Sequence, residues 1–218
     1  YNASHRLSRA RFCDVSDATA VATEIDGVLH VAGRIDLLVN NAGISGPTAP
    51  VEAVDPSEWQ KTLDVGLTGA FNVTRSVAPI MKAQSSGAII NIASYAGLMG
   101  CPSRSPYVAA KWALIGLTKT WAMELGPHKV RVNALCPASV DGERIEAVMA
   151  RDGEERGVSV GDIRQSYERQ SSLQSFTRIE DIASMVCYLA SDAGVRISGQ
   201  AIGLDGHTET LGNSLGEI

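Results

Sequence analysis

The chain has 218 residues, of which 44% are hydrophobic and 20% charged, and its formal net charge is −5. This composition is typical of an ordinary globular protein, and an acidic balance without a Lys/Arg run argues against a nucleic-acid or anionic-membrane partner. No apolar run approaches the roughly 18–20 residues that span a bilayer, and the first residues lack the pattern of a secretory signal, so we expect no membrane association.

Short apolar runs alternate with helical patterns along the chain. A faint strand is predicted at residues 11–15, and stronger apolar runs follow at residues 35–40, 87–94, 130–137 and 199–206. Continuous apolar runs are typical of strands in a parallel sheet that is buried on both faces. Since strand–helix–strand alternation produces right-handed crossovers, we predict an α/β fold with a doubly wound parallel sheet.

Helix boundaries can be located at three places between these strands. Residues 55–58 supply an N-cap, a proline at the first helical position and an acidic first turn. Residues 105–106 begin a second helix, which Gly126 is expected to close. Residues 177–180 match a capping box for a third helix, which ends near Ala190.

Residues 141–176 interrupt the alternation with a long polar stretch that contains several glycines. Insertions of this length either cover a ligand as a lid or are disordered. Because neither a repeat nor a linker divides the sequence, we expect a single domain over residues 1–218, with a lid insertion at about residues 141–176.

Tyr107 and Lys111 lie four residues apart on the second helix and therefore share one face. Ser94 ends the preceding strand, at the carboxyl edge of the sheet, where open α/β folds bind ligands. An ammonium group close to a phenol lowers the phenol's pKa from about 10, which gives a proton donor and acceptor usable nearer neutral pH. A surface tyrosine with an unrelated lysine has the same spacing, so the pair needs support from other motifs.

That support comes from motifs that occur in order along the chain: Asn-Asn-Ala-Gly at residues 40–43, Ser94, Tyr-x-x-x-Lys at residues 107–111, Arg-Val-Asn-Ala at residues 131–134 and Gly-Gln-Ala-Ile-Gly-Leu-Asp-Gly at residues 199–206. With these motifs the sequence resembles the short-chain dehydrogenase/reductase family in its compact single-domain form, over nearly the whole chain. The resemblance implies a Rossmann-like, three-layer α/β/α fold. It also implies reversible hydride transfer between NAD or NADP and a small-molecule secondary alcohol or ketone; which of the two cofactors, and which substrate, stays open.

The resemblance assigns roles to the matching positions. Tyr107 would be the general acid and base, Lys111 would lower its pKa and hydrogen-bond the nicotinamide ribose, and Ser94 would polarise the substrate oxygen. Three further pairs match positions that contact the cofactor. Asp14 and Val15 match residues at the adenine, and Asn41 and Gly43 match residues at the adenosine ribose. Pro137 and Val140 match residues at the nicotinamide carboxamide.

The sequence departs from the family pattern in three respects. No glycine-rich turn precedes residue 12, although the family binds the cofactor pyrophosphate there. Without the first strands the sheet would have an unpaired edge in its middle, so we expect the natural protein to carry them ahead of this segment. Gly66 stands where the family usually has a catalytic asparagine, which predicts weakened activity rather than none. Ala138 and Gly142 replace a glycine and a threonine near the cofactor.

Several aromatic and apolar residues allow two interpretations. Trp112 and Trp121 could form a catalytic wall or belong to the core or a subunit interface, and the resemblance favours the latter because this helix commonly forms a dimer face in the family. A homodimer or homotetramer is therefore expected. Tyr95, Leu98 and Met99 follow Ser94 and line the substrate pocket in one interpretation, or pack under the lid in the other.

The cysteines and histidines are scattered, without CxxC or metal-ligand spacing, so we expect no metal site. Each cysteine lies beside apolar residues, as a small buried thiol would. The absence of a disulfide pattern predicts a reducing, cytoplasmic location. The cysteines are Cys13, Cys101, Cys136 and Cys187.

Three functions are compatible with these motifs. The first is an NAD(P)-dependent oxidoreductase. The alternative is a catalytically silent relative that serves as a structural or assembly subunit; the missing glycine-rich turn and Gly66 favour it, whereas the intact Ser94, Tyr107 and Lys111 oppose it. A sugar-nucleotide epimerase shares the Tyr-x-x-x-Lys motif but needs a larger carboxy-terminal domain than this chain has.

Overall fold

Helices and parallel strands alternate through the part of the chain that the computed structural model describes, residues 10–208. A π-helical segment, Asp64–Thr68, connects two of the helices, and a short 3-10 helix, Tyr95–Gly97, follows the second strand. In chain order the main elements are α1 (Ala18–Ala32), β1 (Leu37–Asn40), α2 (Pro56–Leu63), α3 (Gly69–Gln84), β2 (Gly87–Ile92), α4 (Ser105–Leu125), β3 (Val130–Pro137), α5 (Glu143–Arg156), α6 (Val160–Glu168), α7 (Ile179–Ala190) and β4 (Ala201–Leu204).

The four strands form one parallel sheet in the order β1-β2-β3-β4. In its register Val39 lies opposite Ile90, and Leu135 lies opposite Ile202. Neighbouring strands are consecutive in the chain and are connected by helices, as crossover connections require. The predicted α/β class with a parallel sheet is confirmed.

The core lies on both faces of the sheet because successive side chains of a strand point to opposite sides. Ile89 of β2 packs with Met81 of α3 and Trp121 of α4 on one face. Ile90 packs with Leu135 and with Leu189 of α7 on the other face. Full burial of such a side chain contributes about 1.5–3 kcal/mol. Helices therefore cover both faces, which produces the three predicted layers.

A series of hydrogen bonds between buried polar side chains connects α3, β1, β2 and α4. Asn40 donates from Nδ2 to the Thr74 hydroxyl at 3.0 Å and to Asn91 Oδ1 at 2.8 Å. Asn91 in turn donates to the Thr118 hydroxyl at 2.8 Å. All four residues are buried, so these bonds replace the water that the groups lose on folding. We call this set, residues 40, 74, 91 and 118, the buried polar ladder.

The faint strand predicted at residues 11–15 does not form, so that prediction was wrong. Phe12 is 96% exposed, and Asp14 accepts hydrogen bonds from the backbone and side chain of Ser16, which turns the chain towards α1. A strand needs a neighbouring backbone to pair with, and within residues 10–208 no strand pairs with residues 11–14. Among the described residues β1 pairs only with β2, and its Leu37 and Val39 are each 38% exposed.

Two of the predicted helix ends need correction. Gly126 has right-handed φ (−53°), because a 3-10 turn continues from α4, and Lys129 is the left-handed residue at φ 58°. Thr177 does not cap α7: its hydroxyl donates to the Leu204 carbonyl, and the helix begins one residue later than expected. There the Asp181 carboxylate accepts from the Arg178 backbone at 3.0 Å.

The polar stretch at residues 141–176 contains the helices α5 and α6, so it is not a disordered loop. Met149 and Ile163 are buried within it. Arg164 fastens the stretch by ion pairs with Asp141 at 3.0 Å and Glu168 at 3.1 Å. These exposed pairs contribute little individually; the pair with Asp141 connects α6 to the start of the insertion, whereas the pair with Glu168 lies within α6.

Within residues 10–208, no helix is both long and apolar enough to cross a bilayer. The same residues hold no group of three or more His, Cys, Asp or Glu side chains placed to bind a metal ion.

Candidate active site

Ser94 lies just beyond the carboxyl end of β2, buried at the start of the short helix Tyr95–Gly97. Its hydroxyl accepts from the Ala96 backbone at 3.2 Å, which fixes the side chain. A Cβ on Gly97 would lie 2.9 Å from the Lys111 carbonyl oxygen, closer than real contacts allow. Glycine at this position therefore lets the turn after Ser94 pack directly against α4.

Tyr107 and Lys111 occupy the first two turns of α4, which begins with Pro106 in its first turn as the sequence predicts. Lys111 is only 6% exposed, and its Nζ donates to the Ile92 carbonyl at 2.7 Å. The same Nζ lies 5.5 Å from the centroid of the Tyr107 ring. Because a buried ammonium group needs compensating contacts, the end of β2 fixes the lysine beside the tyrosine. The structure thus brings the turn of Ser94 and the Tyr107–Lys111 pair together.

Arg104 also contacts the Tyr107 ring, and the sequence analysis did not single it out. Its guanidinium carbon lies 5.1 Å from the ring centroid, and its Nη2 donates to the Ser45 carbonyl at 3.0 Å. Its position in the sequence could have indicated it, because Arg104 is a cation three residues before Tyr107, immediately ahead of α4. Tyr95 lies in the same neighbourhood, where burial raises its pKa to about 12 and the Arg104 charge partly offsets that rise.

The residues matched to the cofactor lie at three places. Asn41 and Gly43 follow β1 on an exposed loop, and a Cβ on Gly43 would lie 3.8 Å from Lys111 Nζ. Pro137 ends β3, and Val140 forms an isolated parallel bridge with Thr177.

The contacts of Asp14 and Val15 are with α3 rather than with the residues around Tyr107. Asn72 of α3 donates to the Val15 carbonyl at 3.0 Å, and a Cβ on Gly69 would lie 2.5 Å from Val15 Cγ2. The pair is therefore held against the start of α3, close to the π-helical segment.

Gly66 lies buried in that π-helical segment, against α4. A Cβ there would meet the Cβ of Ala110 at 3.6 Å, an ordinary contact. The position therefore faces the residue before Lys111, and it has room for the first atom of a longer side chain.

The two tryptophans of α4 have different environments. Trp121 is a core residue packed with Ile89, whereas Trp112 is 50% exposed and its indole donates to the Met99 carbonyl at 3.4 Å. Leu98 is also exposed, whereas Tyr95 is partly buried. Both interpretations of Tyr95, Leu98 and Met99 therefore remain open.

Of the four cysteines, only Cys136 is a fully buried thiol, so the expectation of burial was wrong for the others. Cys187 is exposed because it lies two residues from the buried Leu189 on α7, which places it on the opposite helix face. Burial raises the pKa of Cys136 to about 11, although a hydrogen bond from the Ser94 backbone partly opposes that rise.

This burial predicts a loss of stability at alkaline pH. Above the ordinary thiol pKa of 9.0 the unfolded chain releases the Cys136 proton, whereas the folded protein keeps it until about 11. The free energy of unfolding should therefore fall by about 2–3 kcal/mol more between pH 9 and 11 than in a Cys136→Ala variant. Urea unfolding at several pH values measures this difference. Cys187→Ala is the control and should keep the wild-type pH dependence; equal slopes for wild type and Cys136→Ala would contradict the prediction.

Comparison with known proteins places this geometry in context. A protein-family model described as "Enoyl-(Acyl carrier protein) reductase" matches residues 3–207. The chain is 35% identical over 193 residues to the 3-oxoacyl-(acyl-carrier-protein) reductase FabG of Thermotoga maritima, covering 88% of this chain and 74% of that protein. It is 38% identical over 202 residues to the trans-4-hydroxycyclohexanecarboxylate dehydrogenase of Sinomonas cyclohexanicum, covering 93% and 71%.

Solved structures show the same similarity. The NAD+-bound xylitol dehydrogenase superposes with a TM-score of 0.84 at 31% identity, covering 90% of this chain and 77% of that one. ElxO with NADP bound superposes with a TM-score of 0.79 at 28% identity, covering 88% and 75%. Similar proteins therefore bind either nicotinamide cofactor in this fold.

Proposed function

The chain belongs to the short-chain dehydrogenase/reductase family and is an NAD(P)-dependent oxidoreductase, and from that premise we propose that it transfers hydride reversibly between NAD or NADP and a secondary alcohol or ketone, with Ser94, Tyr107 and Lys111 as catalytic residues. The observation that carries the proposal is the position of Lys111 Nζ, held by the Ile92 carbonyl at 2.7 Å and 5.5 Å from the Tyr107 ring centroid.

Each residue has a defined task in the reduction of a ketone. A nicotinamide cofactor held at this site would supply the hydride for the carbonyl carbon. Tyr107 donates its hydroxyl proton to the substrate oxygen, and the Ser94 hydroxyl donates a hydrogen bond to that oxygen. The Lys111 ammonium stabilises the phenolate that remains on Tyr107. Oxidation of the alcohol runs through the same contacts in reverse.

The residues around Lys111 are suited to a dinucleotide. The exposed loop of Asn41 and Gly43 follows β1 beside Lys111 Nζ, where a cation and small residues leave room for ribose hydroxyls. Pro137, the last residue of β3, and Val140, three residues later, are assigned to the nicotinamide carboxamide in this proposal. Asp14 and Val15 are assigned to the adenine. We retain both cofactors, because relatives of this fold bind one or the other.

The substrate class follows from the chemistry of relatives. The names 3-oxoacyl-(acyl-carrier-protein) reductase and trans-4-hydroxycyclohexanecarboxylate dehydrogenase both denote chemistry at a keto group or a secondary hydroxyl. In this proposal α5 and α6 form the lid over such a substrate, within a single NAD(P)-binding domain. A cytoplasmic location suits the four cysteines, which form no disulfide.

The direct test of this function is the reduction of a small panel of cyclic and acyclic ketones by NADH and by NADPH. We expect the enzyme to reduce at least one ketone with NADH or NADPH, and the amount of ketone consumed should equal the amount of reduced cofactor consumed. Absence of turnover with every ketone and both cofactors, together with binding of neither cofactor, would favour the silent structural subunit instead.

We also propose that two copies of the chain associate through α3 and α4. An apolar groove lies between these helices; the exposed Phe71 lines it, and the exposed Trp112 directly precedes Ala113, which also lines it. Gly116 lies in this groove with open space where a side chain would project. We assign a second copy of the chain to the groove because α4 is apolar on more than its core-facing side, and association would bury these additional apolar side chains. The groove is lined by Leu67, Thr68, Phe71, Ala113, Gly116 and Leu117.

A charge placed in the groove should separate the copies. Gly116→Arg is expected to convert a dimer or tetramer into a smaller species, because a guanidinium group would be buried in an apolar interface without a partner. Sedimentation velocity measures the change. Gly126→Arg is the matched control, because this glycine also has open space and ordinary φ. A wild-type monomer, or unchanged mass for Gly116→Arg, would contradict the proposed interface.

A further inference from the structure

Arg104 is the cation at the candidate active site that the proposed reaction does not use. It immediately precedes α4 and is partly buried. Its guanidinium carbon lies 5.1 Å from the Tyr107 ring centroid, and its Nη2 is tied to the Ser45 carbonyl at 3.0 Å. The side chain is thus held between the loop after β1 and the tyrosine.

The charge of Arg104 has no carboxylate partner within residues 10–208. The ion pairs described there use other arginines, Arg11, Arg34, Arg164 and Arg178. The Nε of Arg104 is moreover buried without any hydrogen-bond partner. A buried donor left unpaired costs about 1–3 kcal/mol, and such groups in native structures call for an explanation.

The two acidic side chains that interact electrostatically with Arg104 are neutral ones. The phenol of Tyr95 and the thiol of Cys101 both interact with the Arg104 charge, and the ammonium of Lys111 lies on the same tyrosine ring as Arg104. Burial raises the pKa of both Tyr95 and Cys101, so each stays neutral near pH 7. Among residues 10–208, no ion pair joins the guanidinium of Arg104 to a carboxylate, so its charge favours a negatively charged ligand.

We propose that Arg104 is a specificity residue that binds a carboxylate of the substrate, so that the enzyme acts on keto acids and hydroxy acids. The inference rests on the proposed function, because the guanidinium is located by its contact with Tyr107. A planar carboxylate matches the fork of N–H donors on a guanidinium. Contact with the Tyr107 ring places the carboxylate within the length of a small substrate from the reacting oxygen. A small rotation of the side chain on binding would give Nε its missing partner.

A matched pair of substrates tests this role. The acid 4-oxocyclohexanecarboxylate and the amide 4-oxocyclohexanecarboxamide have nearly the same shape but differ in charge. For the wild type we expect kcat/KM to be about 10–100-fold higher for the acid, since a hydrogen bond to a charged group contributes about 1.5–3 kcal/mol. Arg104→Gln should bring the ratio to near one by lowering the value for the acid, while that for the amide changes little. Arg104→Lys should keep part of the preference.

The exposed Arg196 supplies the control, and Arg196→Gln should leave the ratio unchanged. Thermal unfolding of each variant establishes that it folds. An equal loss for acid and amide in Arg104→Gln would mean a purely structural role and would overturn the inference. A wild type without preference for the acid would overturn it as well.

A binding measurement separates this inference from the proposed reaction. Calorimetric titration with cyclohexanecarboxylate and cyclohexanecarboxamide, which contain no ketone to reduce, should show tighter binding of the acid to the wild type and no such difference in Arg104→Gln. If no ketone is reduced but this difference persists, the anion site stands and the proposed reaction fails. Equal binding of acid and amide to the wild type overturns the anion site, whatever the turnover.

Discussion

Tyr107→Phe is expected to lower turnover of any ketone or secondary alcohol by about 10²–10⁴-fold, the contribution typical of a positioned general acid and base. The substitution removes only the hydroxyl. The ring stays available to Arg104 and Lys111, whose cations lie 5.1 and 5.5 Å from its centroid. The fold and the cofactor site should therefore survive. Steady-state kinetics with a saturating cofactor measure the loss, and thermal unfolding checks the fold.

Tyr188→Phe is the matched control, because Tyr188 is an exposed tyrosine of α7. It should retain wild-type turnover. If Tyr107→Phe also turns over at the wild-type rate, another group supplies the proton and the assignment of Tyr107 is refuted. If turnover and cofactor binding disappear together, the hydroxyl serves binding rather than proton transfer.

The second large effect is expected in the buried polar ladder. Asn91→Leu should lower the free energy of unfolding by about 2–4 kcal/mol, because Asn91 is fully buried and its two hydrogen bonds join β1 to α4. The substitution leaves one Asn40 donor without its acceptor inside the protein. Asn91 also precedes Ile92, whose carbonyl holds Lys111, so activity should fall together with stability. Urea unfolding followed by circular dichroism gives the change.

A double variant distinguishes the lost ladder from poor packing of leucine. Asn40→Leu combined with Asn91→Leu should be less destabilised than the sum of the two single changes, since it removes both partners of one bond. A loss below about 0.5 kcal/mol for Asn91→Leu, the range of ordinary surface substitutions, would show that the ladder does not stabilise the sheet.

Much of the fold could be predicted because its signals are local. The apolar run at residues 130–137 matches β3, and Ser105-Pro106 begins α4 as expected. Asp55 caps α2 by accepting from the Ser57 backbone at 2.7 Å. These features depend on a few neighbouring residues and on the period of the apolar pattern.

The missed features depend on contacts between distant parts of the chain. Residues 11–15 have a strand-like composition, but a strand forms only where another backbone pairs with it. The exposure of Trp112 and the burial of Trp121 could not be separated, because α4 is apolar on several sides. The helices α5 and α6 lie in a polar stretch whose apolar positions are few.

The candidate site shows the same division. The spacing of Tyr107 and Lys111 and the position of Ser94 predicted their meeting at the carboxyl edge of the sheet. Arg104 could not be anticipated, since its place is set by the carbonyl of Ser45, 59 positions earlier, and by the orientation of the Tyr107 ring. A lone arginine in a loop carries no such information in the sequence.

The most direct test of the central claim is a titration of the full chain with NADH and NADPH, followed by the fluorescence of the reduced nicotinamide. The account predicts saturable binding of at least one of the two cofactors, competed by its oxidised form. Binding of neither cofactor at any concentration up to solubility would contradict the assignment of this protein as an oxidoreductase.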